Sequence, residues 1–261
     1  MISLRPLAAA VACLALGTMA LGVTAPARAQ SFSDAQRSEV ERIMREYLMR
    51  HPEILQEAIS ELEKRQQAAD AEKGKAAVKD NKDALFSSTR QVTVGNPQGD
   101  VTLVEFFDYN CGYCKRALSD LMNLMKADPK LKVVLKEFPV LGPSSVEAAR
   151  VAVAVRMQDR SGKKYLDFHQ KLLTGRGQAD KARALAAAKE AGLDMARLEK
   201  DMASDEVTAT LQESGQLADK LGLNGTPSYV VGPDVVVGAV GLDALKEMVE
   251  SARACAAAAT C

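Results

Sequence analysis

Two cysteines three positions apart, Cys111-Gly112-Tyr113-Cys114, follow on the apolar run Val101 to Phe107 and open a stretch of helical character. Such a pair can cycle between dithiol and disulfide. At the start of a helix the first sulfur falls in the exposed first turn, where free backbone N–H groups and the positive end of the helix dipole favour thiolate over thiol. The second sulfur lies on the same helical face and can close a disulfide with the first.

The elements that must hold this pair are legible around it. Val101 to Phe107 is apolar on both faces, as a central strand is. Cys111 to Lys126 reads as a helix with Leu118, Leu121, Met122 and Met125 on its apolar face, ended before Asp128-Pro129. Leu131 to Phe138 is the next strand, and strand, helix, strand at this spacing implies a parallel right-handed crossover. Upstream, Gln91 to Val94 reads as a short strand and Gly95-Asn96-Pro97 as a turn. Downstream, helices are expected over Ser144 to Asp159, Tyr165 to Leu173, Ala179 to Ala191, Met195 to Met202 and Asp205 to Lys220. The sheet resumes after Thr226-Pro227 with Ser228 to Val231 and Val235 to Val237, and Leu242 to Ala254 closes as a helix. The fold class is α/β with a large helical insertion at about 144–220. Glu105 stands out because a carboxylate in an apolar central strand costs free energy unless it is paired or protonated. A salt bridge with Lys136 of the neighbouring strand would satisfy it.

The first 29 residues read as a secretory signal: Arg5 supplies the positive region, Leu7 to Val23 the apolar stretch and Ala27-Arg28-Ala29 the cleavage pattern. An exported, periplasmic protein beginning at Gln30 is expected. The whole chain balances 34 basic against 34 acidic residues, and loss of Arg5 and Arg28 leaves the remainder slightly acidic. Nothing in that balance recruits nucleic acid or an anionic membrane. Of the five cysteines, Cys13 leaves with the signal. Cys111, Cys114, Cys255 and Cys261 remain, an even set that permits two disulfides in an oxidising compartment. Cys255 and Cys261, in an Ala-rich tail (255–261), are read as a small structural disulfide. His51 and His169 lie at no zinc-finger spacing.

Residues 30–62 carry helical periodicity in Val40, Ile43, Met44, Tyr47, Leu48, Ile54, Leu55, Ile59 and Leu62, divided into two helices by His51-Pro52. This apolar stripe is too narrow for a core of its own and needs a partner, either the main domain or the same segment of another copy. Residues 63–85 turn to Glu, Lys, Gln, Ala and Asp and read as a charged linker, a solvated helix or a spacer. The main domain is expected over 86–254.

Over about residues 90–253 the chain resembles the DsbA-like branch of the thioredoxin superfamily. The resemblance is carried by Glu105-Phe106-Phe107 before the CxxC, by Tyr165-Leu166-Asp167-Phe168-His169 in the insertion, and by Gly225-Thr226-Pro227 at the return to the sheet. The segment with His51-Pro52-Glu53-Ile54-Leu55 is similar to the N-terminal extension of ScsC proteins, DsbA-like proteins associated with copper tolerance, which in some relatives makes a trimer. The resemblance implies a thioredoxin fold preceded by a helical oligomerisation segment. It makes Cys111 the attacking nucleophile, Cys114 the resolving thiol, Pro227 a cis-proline facing them with Thr226 beside it, and Glu105 an aid to moving the proton of Cys114. It requires no bound cofactor, since the Cys111–Cys114 disulfide is itself the redox group.

The dipeptide between the cysteines tunes such a pair, because whatever stabilises the first thiolate makes the disulfide more oxidising. Strong oxidases of this branch carry Pro-His there. Gly112-Tyr113 instead matches DsbC-type isomerases, as does Thr226 before Pro227. The resemblance therefore favours a disulfide isomerase or reductase acting on unfolded or misoxidised exported proteins and kept reduced by a membrane partner of the DsbD or ScsB kind. It favours a homo-oligomer, trimer before dimer. A dithiol oxidase is the second reading. A Cu(I)-sequestering stress protein, with Cys111 and Cys114 as soft ligands, is the reading from another class.

Overall fold

The computed structural model describes residues 32–258. The signal and its Cys13, and Cys261, lie outside the described residues. Two compact units divide the chain, one ending at Ile59 and the other running from Ser60.

In the first unit, α1 (Asp34–Arg50) begins at a capping box in which Ser33 Oγ accepts from the Gln36 N–H and Gln36 Oε1 accepts from the Ser33 N–H. Arg42 bridges Glu39 and Glu46 along the helix surface. The helix ends at His51, whose N–H bonds Tyr47 O, and Pro52 precedes α2 (Glu53–Asp80). α1 buries no residue: Val40, Ile43, Met44 and Tyr47 stand exposed, as do Leu55 and Ile59 of α2.

In the second unit, the end of α2 and α3 (Lys82–Phe86) lead to β1 (Val92–Gly95), β2 (Val101–Phe107), α4 (Gly112–Ala127) and β3 (Leu131–Glu137). Five helices follow: α5 (Pro143–Gln158), α6 (Lys163–Thr174), α7 (Lys181–Glu190), α8 (Met195–Met202) and α9 (Asp205–Lys220). β4 (Ser228–Val231), β5 (Asp234–Val237) and α10 (Leu242–Ala258) complete the fold. The sheet order is β1-β3-β2-β4-β5, with β2 and β3 parallel and every other pair antiparallel. β2 is central and buried on both faces, as its unbroken apolar run requires. Leu103, Phe107, Val133 and Leu135 face one core beneath α4, α5, α6 and α10. Val104, Phe106, Val134 and Val230 face the other, with Leu217 and Ala218 of α9. α5 is Ala and Val on every side over Ala148 to Val155 and is buried throughout, the central helix of the insertion.

That second core also takes in Val78 and Leu85, so packing of the second unit reaches into the stretch read from composition as a linker. Isolated apolar residues among charges give little periodic signal, and only the tertiary contact reveals them.

Candidate active site

The site is built where β2 ends. The chain turns through Asp108, Tyr109 and Asn110, and Cys111 becomes the N-cap of α4 with extended backbone and no side-chain cap of its own. The N–H groups of the helix's first turn point past it, so a thiolate on Cys111 gains both their hydrogen bonds and the helix dipole. Cys111 Sγ lies 3.1 Å from Thr226 O, and the Thr226–Pro227 peptide is cis. Both cysteines are free thiols here. Cys111 is only 6% exposed, more covered than a first-turn position suggests, because the Thr226 loop, distant in sequence, closes over it.

Cys114 lies one turn inward and is buried against the sheet. Burial pushes its thiol pKa well up, and the nearby Glu105 carboxyl and Cys111 sulfur add to the rise. The Asp108 backbone N–H and the Thr226 hydroxyl oppose it by bonding the sulfur. The two sulfurs are thus unequal: one is set at a helix N-terminus, the other is held as a neutral thiol. Between them Gly112 and Tyr113 are exposed, and the Arg116 guanidinium stacks 4.3 Å over the Tyr113 ring.

Glu105 lies opposite Leu135 of β3 and Tyr229 of β4. It is buried, its Oε2 has no partner, and burial alone pushes its pKa up to about 8. The salt bridge with Lys136 is not made. Lys136 is opposite Phe106, and side chains alternate across a sheet, so the two groups point to opposite faces. Lys136 instead reaches Glu213 of α9 at 3.7 Å.

Several residues at the site were missed by the reading of the sequence. Glu137 is buried with its pKa well above the carboxylate range, chiefly through burial, and accepts hydrogen bonds from the Tyr165 and Tyr109 hydroxyls. Tyr109 Oη also meets His169 Nδ1 at 3.3 Å, and burial pushes His169 down to about 3, so it is neutral. Asp108, also buried, receives four donors. The signal that singled out Glu105, a carboxylate in an apolar strand, applied equally to Glu137.

Cys255, on α10, is disulfide-bonded; Cys261, expected as its partner, lies outside the described residues. A cleft of about 470 Å³ lined by Ser88, Gln91, Arg156 and Glu206, among others, shares no residue with the cysteine site. Among the described residues no three or more His, Cys, Asp or Glu side chains gather as a metal site, and no helix is long and apolar enough to cross a membrane.

A central β2, a helix opening on CxxC and a cis-proline beside the first sulfur define a thioredoxin-fold dithiol/disulfide protein. The chain belongs to the DSBA-like thioredoxin domain family, whose model matches residues 102–250. Residues 36–69 match the N-terminal domain of the copper resistance protein ScsC. A thioredoxin-like oxidoreductase from Silicibacter pomeroyi is 46% identical, over 67% of this chain and 98% of its own, with a TM-score of 0.63. ScsC of Proteus mirabilis in a transitional conformation is 32% identical, over 86% of this chain and 98% of its own, with a TM-score of 0.62. A sodium/proton antiporter, NhaA 1 of Salinispora arenicola, is 27% identical over 160 residues, which cover 60% of this chain and 24% of the antiporter. The chain thus spans about a quarter of the length of such curated relatives. It is a thiol-disulfide oxidoreductase of the DsbA and ScsC type.

Proposed function

We propose that this protein is a periplasmic disulfide isomerase and reductase that attacks wrongly paired disulfides of exported proteins through Cys111. The carrying observation is the inequality of the two sulfurs, one at a helix N-terminus and one buried as a thiol. Cys111 thiolate attacks a substrate disulfide, forming a mixed disulfide and releasing one substrate thiolate. Either a substrate thiol then attacks and leaves with a new pairing, or Cys114 attacks Cys111 and releases the substrate reduced. Glu105 takes the proton that Cys114 gives up. In the second route the enzyme is left oxidised, so turnover needs an external dithiol reductant, a membrane partner of the DsbD or ScsB kind.

Isomerisation over oxidation is favoured by Gly112-Tyr113, which puts no imidazole beside the thiolate, and by the uncovered apolar stripe of α1. An exposed stripe with Val40, Ile43, Met44 and Tyr47 at helical spacing suits self-association, and the ScsC N-terminal match supports a trimer. Several active sites on one assembly raise the effective concentration of thiolates around a misfolded chain. The competing readings are a dithiol oxidase and a protein that sequesters Cu(I) on Cys111 and Cys114.

The test is reactivation of a scrambled multi-disulfide protein by the reduced chain from Gln30, against a deletion of residues 30–59. The cut follows the unit boundary and spares Val78 in the core. Reactivation by the intact chain that falls with the deletion, together with a drop in oligomer mass, is expected. No reactivation by either, with rapid oxidation of a reduced substrate by the disulfide form, would move the assignment to an oxidase.

A further inference from the structure

Each of the three residues before the nucleophile is tethered to a different part of the helical insertion or its approach. Asp108 accepts at Oδ1 from the Asn110 N–H and the Ser145 hydroxyl, both 2.7 Å, and at Oδ2 from the Val140 and Leu141 N–H groups at 2.9 and 3.0 Å. Tyr109 is held by Glu137, Tyr165 and His169. Asn110 donates to Ser145 Oγ and Ala179 O and accepts from the Ala179 N–H. Asp108 also uses its backbone, since its carbonyl accepts the Cys111 N–H at 3.1 Å.

We propose that Asp108 is a positioning residue for the resolving step, fixing the turn that holds Cys111 Sγ in line for attack by Cys114. The inference rests on the exchange reading above. In that step Cys114 loses its proton and its sulfur attacks Cys111 Sγ. The Cys111–substrate S–S bond breaks, a Cys111–Cys114 bond forms, and the substrate sulfur leaves with the electron pair. Three sulfurs must come into line, and such geometry is lost with small displacements of the central atom. The first step makes a weaker demand, because an incoming disulfide can adjust its own approach. Asp108 contributes at three places at once. Its carboxyl ties the turn to Ser145 at the start of α5 and to the 138–142 loop, its carbonyl holds the Cys111 N–H, and its N–H faces the Cys114 sulfur. A carboxyl that only stabilised the fold would show none of this preference for one step.

The experiment mixes the reduced chain from Gln30 with oxidised glutathione, quenches with acid, and follows by mass the Cys111–glutathione adduct and the internal disulfide that replaces it. Asp108→Asn puts an amide N–H₂ where an acceptor stood, and Ser145→Ala removes one donor while leaving Asp108 in place. Circular dichroism and thermal melts report the folded fraction. Expected for Asp108→Asn is an adduct that resolves about tenfold more slowly or worse, with adduct formation changed by less than about twofold. Ser145→Ala, which retains three of the four bonds to Asp108, is expected to slow the same step by a smaller factor. Normal resolution in folded Ser145→Ala and Asp108→Asn would overturn the proposal, and so would equal slowing of both steps in proportion to unfolding. Should Asp108→Asn fail to fold, Ser145→Ala alone decides. A wild-type chain that forms neither adduct nor disulfide would sink the exchange reading itself.

Discussion

Replacing Glu105 with Gln should stabilise this protein at neutral pH while impairing its chemistry. The carboxyl's pKa is raised by burial from 4.5 to about 8, so at pH 7 it is neutral when folded and ionised when unfolded. Between these values the native state binds one proton more than the unfolded state, and stability must fall as pH rises. The contribution is fully present below pH 4.5 and is lost as pH passes through 8. At about 1.36 kcal/mol per unit, the gap at pH 7 costs about 3 kcal/mol. Gln is a close neutral isostere of the protonated acid, and the Tyr229 hydroxyl on the adjoining strand, itself without a partner, can accept from its amide.

The assay is urea denaturation of the reduced wild type and Glu105→Gln from pH 4 to 9. The two should be equally stable near pH 4, separate by about 3 kcal/mol at pH 7, and run parallel above pH 8. A kinetic arm completes the test. If ionised Glu105 takes the proton of Cys114, resolution of the glutathione adduct should speed up through about pH 8 in the wild type and lose that inflection in Glu105→Gln. Stability curves parallel across the whole range would show that burial does not hold the group neutral. An inflection that survives in Glu105→Gln would assign the proton to another acceptor.

Two further predictions concern other groups. Cys111→Ser should abolish exchange, whereas Cys114→Ser should accumulate mixed disulfides with substrate, visible on non-reducing gels; equal trapping by both would overturn the division of labour between the sulfurs. Lys136→Met should raise stability by about 3 kcal/mol at pH 7, because burial pushes the lysine from 10.5 down to about 8 and its Nζ has no hydrogen-bond partner. Here the unfolded state binds the extra proton, so the advantage shrinks as pH rises above 8 and is gone above 10.5. Denaturation midpoints that do not change would mean that Glu213 compensates the ammonium in full.

The order of elements and the placing of the cysteine pair were legible because they rest on local signals: apolar runs bounded by turns, period-3.6 stripes, and proline and glycine punctuation. β2 and β4 fall where the runs put them, and the insertion has its five expected helices. What could not be read depends on register and on long-range contact. The cover over Cys111 comes from Thr226, 115 residues away. The tethering of Asp108 joins it to residues beyond β3, and Asp108-x-Asn110 signals only the local turn. The Glu105–Lys136 expectation failed on parity, since adjacent strands were known but not which residues stand opposite.

Parity also decides what electrostatic help the sulfurs can receive. In the register of β2 and β3, Glu105 lies opposite Leu135, and Phe107 opposite Glu137. Both buried acids therefore face the layer beneath α4, where Cys114 is packed. Lys136 is on the opposite face with Val134 and reaches α9. The sheet's own buried cation is thus walled off from the thiol chemistry by the sheet itself. Ionising either acid would place negative charge on the side where Cys114 must become a thiolate, and burial keeps both neutral at pH 7. Stabilisation of sulfur anions then falls to fixed dipoles: the first turn of α4 for Cys111, and the Asp108 N–H and Thr226 hydroxyl for Cys114. Dipoles held by backbone geometry act only where they point. A site that relies on them depends on the turn that aims them, and so on the residue whose carboxyl holds that turn.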